Sequence, residues 1–402
     1  MNSFPAATPT SLPSQKRTRE LCQRLGKIQM GARFICIPEG SAGYSAAVML
    51  ESAMVAAGHT VGRITSAHNY DSRLSVTVCG SVPSIEDYNN AVEALKHAAR
   101  REPDAGYLCE EATFVLSLLL CRLLGCQYII LQGLSQRGYA LDAVCAPFEL
   151  ILLPTVYDKD GGVEWATSAC ESIRRGVREV VSGNQRSEIY HVISNACAMS
   201  GVRLDIPVKS QFEVTAVTAR SLTFNYGERQ GFTMRSPSRL LCDSAMAVIE
   251  AALALRRGGV KFPWSSIQEG IAKATGTGCF ELLSLSPLVV IDSASDVYTA
   301  ALTVETLKDI FGENMQGELS VCIPKAASEA LAAFKEIQLE SVIIYDKTPK
   351  AEGEAAENEY DTVKKCAKAV SALMKKGKNV ICLGSVSFAD EIKNELLKIL
   401  NG

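Results

Sequence analysis

The chain has 402 residues, of which 47% are hydrophobic and 21% charged, and its formal net charge is −3 at pH 7. This length is enough for two or three domains with apolar cores, and the small net charge excludes a general attraction to nucleic acid or anionic membranes. The 14 cysteines include no C-x-x-C pair, and most lie in apolar runs. We therefore expect free thiols in a reducing cytoplasm rather than a disulfide framework.

The N-terminal segment is polar and rich in Pro, Ser and Thr, which predicts a disordered tail over residues 1–20 and no secretory signal. The longest apolar stretch covers residues 112–131 and contains Arg122 and Gly125. A charge and a glycine inside this stretch favour a buried helix followed by a strand over a membrane span. We therefore expect no membrane partner.

Strand and helix patterns alternate from residue 34 to about residue 155. Apolar and alternating runs predict strands at 34–37, 60–65, 72–80, 128–131 and 150–153. Helical periodicity predicts helices at 45–57, 85–100 and 110–124. Alternation of this kind is typical of a parallel sheet with helices on both faces, so we predict an α/β fold.

The second half of the chain adds a short antiparallel segment and a second α/β pattern. Period-two alternation runs through residues 204–235, and a helix is predicted at 240–257. Later strands are predicted at 288–291, 319–322, 341–345 and 379–383, and later helices at 297–311, 326–337, 360–376 and 387–400. We expect a first domain over residues 21–274 and a second over residues 276–402, in two lobes hinged near residues 274–280.

Four stretches resemble one protein family in chain order: MLESAMVAAGHTVGRITSAH, YIILQGLSQRGYALDA, GCFELLSLSPLVVIDSASD and VICLGSVSFADEI. The family is that of the folylpolyglutamate and dihydrofolate synthases, a branch of the Mur-ligase superfamily. The resemblance implies a Mur-ligase-like central domain with a P-loop-type parallel sheet, followed by a C-terminal Rossmann-like α/β domain. It also implies a reaction in which ATP and Mg²⁺ activate a folate carboxylate as an acyl phosphate, which glutamate then attacks.

The loop that would bind phosphate departs from the family pattern G-T-N-G-K-G-S. The residues in those places are Glu39, Gly40, Ser41, Ala42, Gly43, Tyr44 and Ser45. Gly43 stands where the family has the lysine that reaches the phosphates, and only Ser45, the hydroxyl that would face Mg²⁺, matches. A phosphate site that lacks its lysine and gains the Glu39 carboxylate is electrostatically unfavourable. We interpret the stretch as a strand-to-helix turn with Ser45 as a cap, and a relaxed ATP loop is the alternative.

The positions that the resemblance assigns to metal binding also differ from the family. The metal-binding glutamate falls at Gln132, whose amide oxygen is a poor substitute for a carboxylate on a hard cation. The histidine ligand falls near Tyr157 and Asp158, where there is no histidine. Asp158 or Asp160 could hold a metal, but a hydrated loop aspartate is the default. The lysine that superfamily members carbamylate falls at Arg174. The sequence therefore identifies no metal ligand set, and ATP and Mg²⁺ are expected as cofactors only if the family activity is retained.

The C-terminal half departs at its own nucleotide and substrate positions. The family's D-G-A-H-N becomes D-S-A-S-D, so Asp292 is retained while Ser295 and Asp296 replace the histidine and the asparagine. The hinge arginine of the family is Cys279 here, and the helix asparagine that reads adenine is Asp243. These changes remove the groups that would meet nucleotide or substrate in this half of the chain.

Some features on the folate side persist. Residues 65–68 read T-S-A-H, which is similar to the family's T-S-P-H, so Ser66 and His68 are candidates for contact with a folate. A lone histidine at a strand end is, however, more often a structural residue. Glu110 and Thr113 match a family E-x-x-T at the start of a helix, where a carboxylate is stabilised by the helix dipole.

Three functions remain open at this point. We favour a catalytically degenerate folylpolyglutamate synthase-like protein that binds a small molecule, folate-like or a nucleotide, or acts in regulation beside an active paralogue. The first alternative is an active ATP-dependent ligase that adds glutamate to folate or a related acid. The second is a scaffold that contacts only other proteins, which a large exposed apolar patch over the cleft would favour.

Overall fold

The computed structural model describes residues 14–39, 42–65, 72–100, 108–134, 140–141, 144, 147–157, 162–174, 176–274, 278–312, 318–348 and 358–401. The chain divides into two compact units. The first unit comprises residues 1–209 and 243–274, and the second comprises residues 210–242 and 275–402. Residues 210–242 thus belong to the second unit, whereas the sequence analysis includes them in the first domain. The predicted domains and their hinge stay a prediction.

The first unit is built on a mostly parallel sheet. Its strands are β1 (Arg33–Ile37), β2 (Val61–Ile64), β3 (Val76–Val78), β4 (Tyr128–Gln132), β5 (Phe148–Leu153), β6 (Val177–Ser182) and β7 (Arg203–Asp205). Within the described residues they form a seven-stranded sheet in the order β3-β2-β4-β1-β5-β6-β7. Strand β3 is antiparallel to β2, and every other neighbouring pair is parallel. This arrangement confirms the predicted α/β fold class.

Helices cover this sheet. They are α1 (Gln15–Arg24), α2 (Gly43–Ala56), α3 (Ile85–Ala99), α4 (Cys109–Leu123), α5 (Gly162–Arg174), α6 (Ser187–Ser200), the larger part of α7 (Arg239–Arg257), and α8 (Trp264–Lys273). Helix α2 is rich in alanine and packs closely on α8, where a Cβ on Gly270 would lie 2.2 Å from the Cα of Ala53. Only glycine permits this close approach of the two helix backbones.

Two N-terminal predictions differ from the structure. Helix α1 begins at Gln15, inside the stretch predicted to be a disordered tail. The buried carboxylate of Glu111 in α4 accepts hydrogen bonds from the Ser14 backbone N–H at 2.5 Å and from Arg17 Nη2 at 2.9 Å. These bonds order the segment through a partner far away in the chain. Between residues 72 and 80, a 3₁₀ turn (Ser72–Ser75) precedes the short β3.

The second unit contains two sheets. An antiparallel sheet in the order β10-β9-β8 joins β8 (Phe212–Thr218), β9 (Ser221–Tyr226) and β10 (Arg229–Met234), as the period-two alternation predicts. The strands of the second sheet are β11 (Glu281–Leu285), β12 (Leu288–Asp292), β13 (Leu319–Pro324), β14 (Leu339–Tyr345), β15 (Glu359–Tyr360) and β16 (Asn379–Leu383). Their order over the described residues is β11-β12-β16-β13-β14-β15, with only β11 and β12 antiparallel to each other.

The remaining helices pack around the second sheet. They are α9 (Val297–Phe311), α10 (Val363–Lys375) and α11 (Val386–Asn401). The helix predicted at 326–337 is instead a 3₁₀ segment, Lys325–Phe334, and the sequence offers no physical reason for the tighter winding. Across the described parts of both units the cysteines are free, and all but Cys79 and Cys109 are buried. Among the described helices, none combines the length and the apolar character that crossing a membrane requires.

Candidate functional site

The loop between β1 and α2 follows the carboxyl end of a central parallel strand, which is where ligands bind in open α/β sheets. Helix α2 begins at Gly43, and the preceding residue, Ala42, has no side chain with which to cap it. Ser45 lies inside the first turn and is 5% exposed. The N-cap position, where an N-cap side chain would stand, is therefore Ala42 and not Ser45, so Ser45 is not the N-cap residue of α2.

Glu39, the second residue of this loop, is held by two contacts within the unit. The indole N–H of Trp165 donates a hydrogen bond to the backbone oxygen of Glu39. The side chain of Glu39 runs along Gly133, where a Cβ would lie 3.1 Å from Glu39 Cγ and the backbone has φ +67°. Gly133 is thus required both for its left-handed backbone and for the space that Glu39 fills.

The position of the family lysine leaves little space for a side chain. A Cβ on Gly43 would lie 3.0 Å from the backbone oxygen of Pro38 and 3.4 Å from Cγ of Pro154. A lysine here would require the strand-to-helix turn to shift. The loop geometry thus matches the residue that this chain has, and not the residue of the phosphate-binding pattern.

The end of β4 carries a contact that the sequence analysis missed. Arg63 of β2 donates from Nε to Glu51 Oε2 at 2.6 Å and from Nη1 to Gln132 Oε1 at 2.9 Å. Its guanidinium also lies over the ring of Tyr44, 5.4 Å from the ring centroid. The amide oxygen at the predicted metal position therefore already accepts a hydrogen bond from a permanent cation.

The ion pair that holds Arg63 is buried. The side chains of Arg63 and Glu51 are 9% and 2% exposed. The second oxygen of Glu51 accepts from the Thr77 hydroxyl at 2.8 Å and from the Gly80 backbone N–H at 2.9 Å. A buried ion pair is tolerated when its remaining hydrogen-bonding capacity is met in this way.

Asp243, at the predicted adenine position, also accepts hydrogen bonds from other residues of the first unit. Tyr157 donates its hydroxyl to Asp243 Oδ2 at 2.6 Å, and Asn184 donates Nδ2 to Asp243 Oδ1 at 3.1 Å. The next residue, Ser244, donates to the backbone oxygen of Ala42 at 3.3 Å. Helix α7 is thereby tied to the loop and to the strand ends of the same unit.

The described residues do not fit the Mg²⁺ site that the resemblance implies. Mg²⁺ requires several oxygen ligands in near-octahedral geometry, with one or more carboxylates among them. Here the oxygen of Gln132 is taken by Arg63, and within the described ranges no cluster of three or more His, Cys, Asp or Glu side chains is arranged to hold a metal ion. The described residues at this loop therefore do not form a Mg²⁺ site.

Some predicted residues lie outside what the structure describes. These are Gly40, Ser41, Ser66, His68, Asp158 and Asp160. Arg174 is the last residue of α5. Glu110 lies in the first turn of α4, as the sequence predicts. Its neighbour Glu111 accepts hydrogen bonds from Arg17 and from the Leu108 backbone N–H.

In the second unit, Asp292 is a buried carboxyl at the end of β12. Burial raises its pKa to about 7, although the Thr303 hydroxyl and the backbone N–H of Ala294 donate to it and act in the opposite direction. The two donor distances are 2.9 Å and 3.2 Å. Thr303 belongs to α9, so this carboxyl joins a strand end to a helix.

The other two predicted residues of the second unit have local structural roles. Asp296 caps α9, since Oδ1 accepts from the backbone N–H groups of Tyr298 and Thr299 at 2.8 Å and 3.0 Å. The hydroxyl of Thr299 accepts in return from the backbone of Ser295 and Asp296, each at 3.3 Å. Asp296 therefore stabilises the helix start as a capping box does.

These observations define an α/β protein whose first unit has a P-loop-type sheet and whose second unit has a smaller, mostly parallel sheet. No protein-family model matches the sequence, and no curated protein matches it. Solved structures do match, and they share the fold of folylpolyglutamate synthases, which confirms the fold that the resemblance implied.

Three of these structures illustrate the similarity. Folylpolyglutamate synthetase from Lactobacillus casei is 18% identical over 97% of this chain and 96% of its own, with a TM-score of 0.77. The Mycobacterium tuberculosis synthase complexed with ADP is 16% identical over 97% and 95%, with a TM-score of 0.76. The Thermotoga maritima synthase is 17% identical over 96% and 94%, with a TM-score of 0.72.

Proposed function

We propose that this chain is a folylpolyglutamate synthase-like protein that no longer catalyses ATP-dependent ligation and acts by binding or in regulation. The observation that carries this proposal is that the oxygens of Gln132 and Asp243 already accept hydrogen bonds from Arg63, Tyr157 and Asn184. Phosphoryl transfer requires a metal ion and positively charged groups on the same phosphate oxygens. Both requirements are unmet at the described residues of the loop.

The fold leaves a binding role open. A protein that has lost catalysis can retain affinity for part of its former ligand. The ligand classes that this fold suggests are a folate-like acid and a nucleotide. We also propose that such a protein works beside an active paralogue, whose abundance or ligand supply it would influence.

A specific observation favours one alternative, an active ATP-dependent acid–amino-acid ligase. The M. tuberculosis synthase was solved with ADP, and this chain matches it over 97% of its own length. An active enzyme with this sequence would have to use other groups for phosphate and metal than those of the described loop residues. ATP and Mg²⁺ would then be its cofactors.

The experiment that separates these functions is an ADP-release assay with ATP–Mg²⁺, a reduced folate and glutamate, run beside the L. casei enzyme as positive control. We expect no ADP release that depends on both folate and glutamate. Release that depends on both and survives further purification would contradict the proposal.

Binding is measured separately by thermal unfolding with each compound alone. A ligand present at a hundred times its Kd stabilises the native state by about 2.7 kcal/mol, which shifts the unfolding temperature measurably. A shift with folate or nucleotide would identify the ligand class, and the absence of any shift would favour regulation through a protein partner.

A further inference from the structure

We propose that Arg63 is a built-in cation that takes the place of a divalent metal ion at the end of β4 and excludes metal ions from this loop. The inference deepens the proposed function, because it identifies the residue that closes the metal position. Arg63 Nη1 donates a 2.9 Å hydrogen bond to Gln132 Oε1 at this position.

The strand register explains why Arg63 reaches this position. Strands β2 and β4 are parallel neighbours, and Arg63 is in register with Ile130. Residues two apart on a strand point to the same face, so the side chains of residues 130 and 132 lie on one face of β4. Gln132 is also in register with Ile37, the last residue of β1 before the loop. The guanidinium charge is therefore held beside the strand ends from which the loop departs.

Electrostatics makes this arrangement incompatible with a bound divalent ion. A metal ion on the Gln132 oxygen would sit within a few ångströms of a guanidinium that stays protonated at any physiological pH. In this partly buried site the guanidinium repels a divalent ion, and the Glu51 carboxylate on its Nε side offsets only part of that repulsion. A carboxylate at position 132 would not remove the obstacle, because it would form an ion pair with Arg63 in the same geometry.

Arg63 is also prevented from moving away. Its Nε bond to Glu51 is buried, and the second oxygen of Glu51 is fixed by Thr77 and Gly80. The guanidinium also lies over the ring of Tyr44, 5.4 Å from the ring centroid. Rotation of Arg63 out of this position would leave the Glu51 carboxylate buried without its cation, which is strongly unfavourable.

The experiment uses Mn²⁺ alone as the probe, with free Mn²⁺ measured by electron paramagnetic resonance. The proteins are the wild type, Gln132→Glu, Glu51→Gln/Arg63→Met and the triple variant that combines these changes. The double change removes the ion pair as a whole, so that no unpaired charge is left behind. We expect the wild type and Gln132→Glu to leave Mn²⁺ free. The triple variant should bind Mn²⁺ at least roughly tenfold more tightly than Gln132→Glu does.

A matched control replaces the new carboxylate by Met, as Glu51→Gln/Arg63→Met/Gln132→Met, and should not bind Mn²⁺. Equal Mn²⁺ binding by Gln132→Glu and the triple variant would overturn the proposal. So would a triple variant that unfolds cooperatively like the wild type but binds no more Mn²⁺ than the methionine control.

A further variant keeps the proposal testable if the triple variant does not fold. Arg63→Lys/Gln132→Glu retains a cation beside the new carboxylate, so we expect its Mn²⁺ binding to stay at the level of Gln132→Glu. Binding at least tenfold tighter would show that the charge at position 63 does not exclude the metal. The Mn²⁺ titrations are carried out without ATP or folate. Their outcome is therefore independent of the ADP-release assay that tests the proposed function.

Discussion

Tyr157 and Asp243 are joined by a 2.6 Å hydrogen bond from the phenolic hydroxyl to Oδ2, and Asp243 is only 9% exposed. This bond connects the segment after β5 to helix α7 within the first unit. The other oxygen of the same carboxylate accepts from Asn184, so both oxygens have partners at the position that the resemblance assigns to adenine. The carboxylate therefore has a structural role that does not depend on a ligand.

We expect Tyr157→Phe to lower the free energy of unfolding by about 1–3 kcal/mol, because it removes a hydrogen bond to a largely buried carboxylate. The measurement is urea unfolding of the full chain. Tyr190→Phe is the matched control, since the Tyr190 side chain is 37% exposed on α6 and the change should cost less than about 0.5 kcal/mol. An equal cost for both substitutions would contradict a structural role for the Tyr157 bond.

Arg17→Ala should release helix α1 from α4. Arg17 donates to Glu111, whose side chain is fully buried, while Arg17 itself is 23% exposed. We expect a loss of about 1–3 kcal/mol, below the cost of breaking a fully buried pair, together with faster proteolysis of the N-terminal segment. Lys16→Ala is the control, because Lys16 is 85% exposed and lies 3.9 Å from Glu20. If both variants resist protease equally, Arg17 does not anchor α1.

Asp292 should make the second unit less stable as pH rises from about 4 to 7. Its pKa is raised from the ordinary 3.8 to about 7 in the folded state, mainly by burial. The folded state therefore keeps a proton that the unfolded state has already lost in this pH window. The stabilising contribution is complete below about pH 4 and is lost as pH approaches 7, with a slope of at most about 1.4 kcal/mol per pH unit.

The variant that isolates this effect is Asp292→Asn, which does not titrate. Urea unfolding of both proteins at several pH values between 4 and 8 gives the difference in unfolding free energy, wild type minus variant. We expect this difference to fall up to about pH 7 and then to level off. A difference that stays constant, or that rises with pH, would show that Asp292 is ionised in the folded protein.

Much of the fold could be predicted from the sequence, because the patterns that indicate its strands and helices are local. Apolar runs such as 34–37 and 128–131, separated by helical periodicity, predict strands and helices without knowledge of their partners. Helix α1 was missed because its anchor, Glu111, is 94 residues from Arg17. The 3₁₀ winding of Lys325–Phe334 was missed because helical periodicity does not distinguish it from an α-helix.

The site was harder to predict, because its contacts depend on strand order. Arg63 is the only charge in β2, and Glu51 is the only charge in α2, which is a signal that each needs a buried partner. That signal points to an ion pair across 12 residues but not to Gln132, which is 69 residues from Arg63. Only the adjacency of β2 and β4 brings the third residue to the pair.

Gly43→Lys should not create an ATP–Mg²⁺ site. The new Cβ would lie 3.0 Å from the Pro38 oxygen and 3.4 Å from Pro154 Cγ, so we expect a loss of stability of about 1–3 kcal/mol. Gly43→Ala adds the same Cβ without the charge and should account for most of that loss. The metal position stays closed, because Arg63 still donates to Gln132, and groups that act together in phosphoryl transfer are strongly non-additive. Isothermal titration decides the matter: micromolar ATP–Mg²⁺ binding by Gly43→Lys but not by Gly43→Ala would show that one missing lysine was the only defect of the loop.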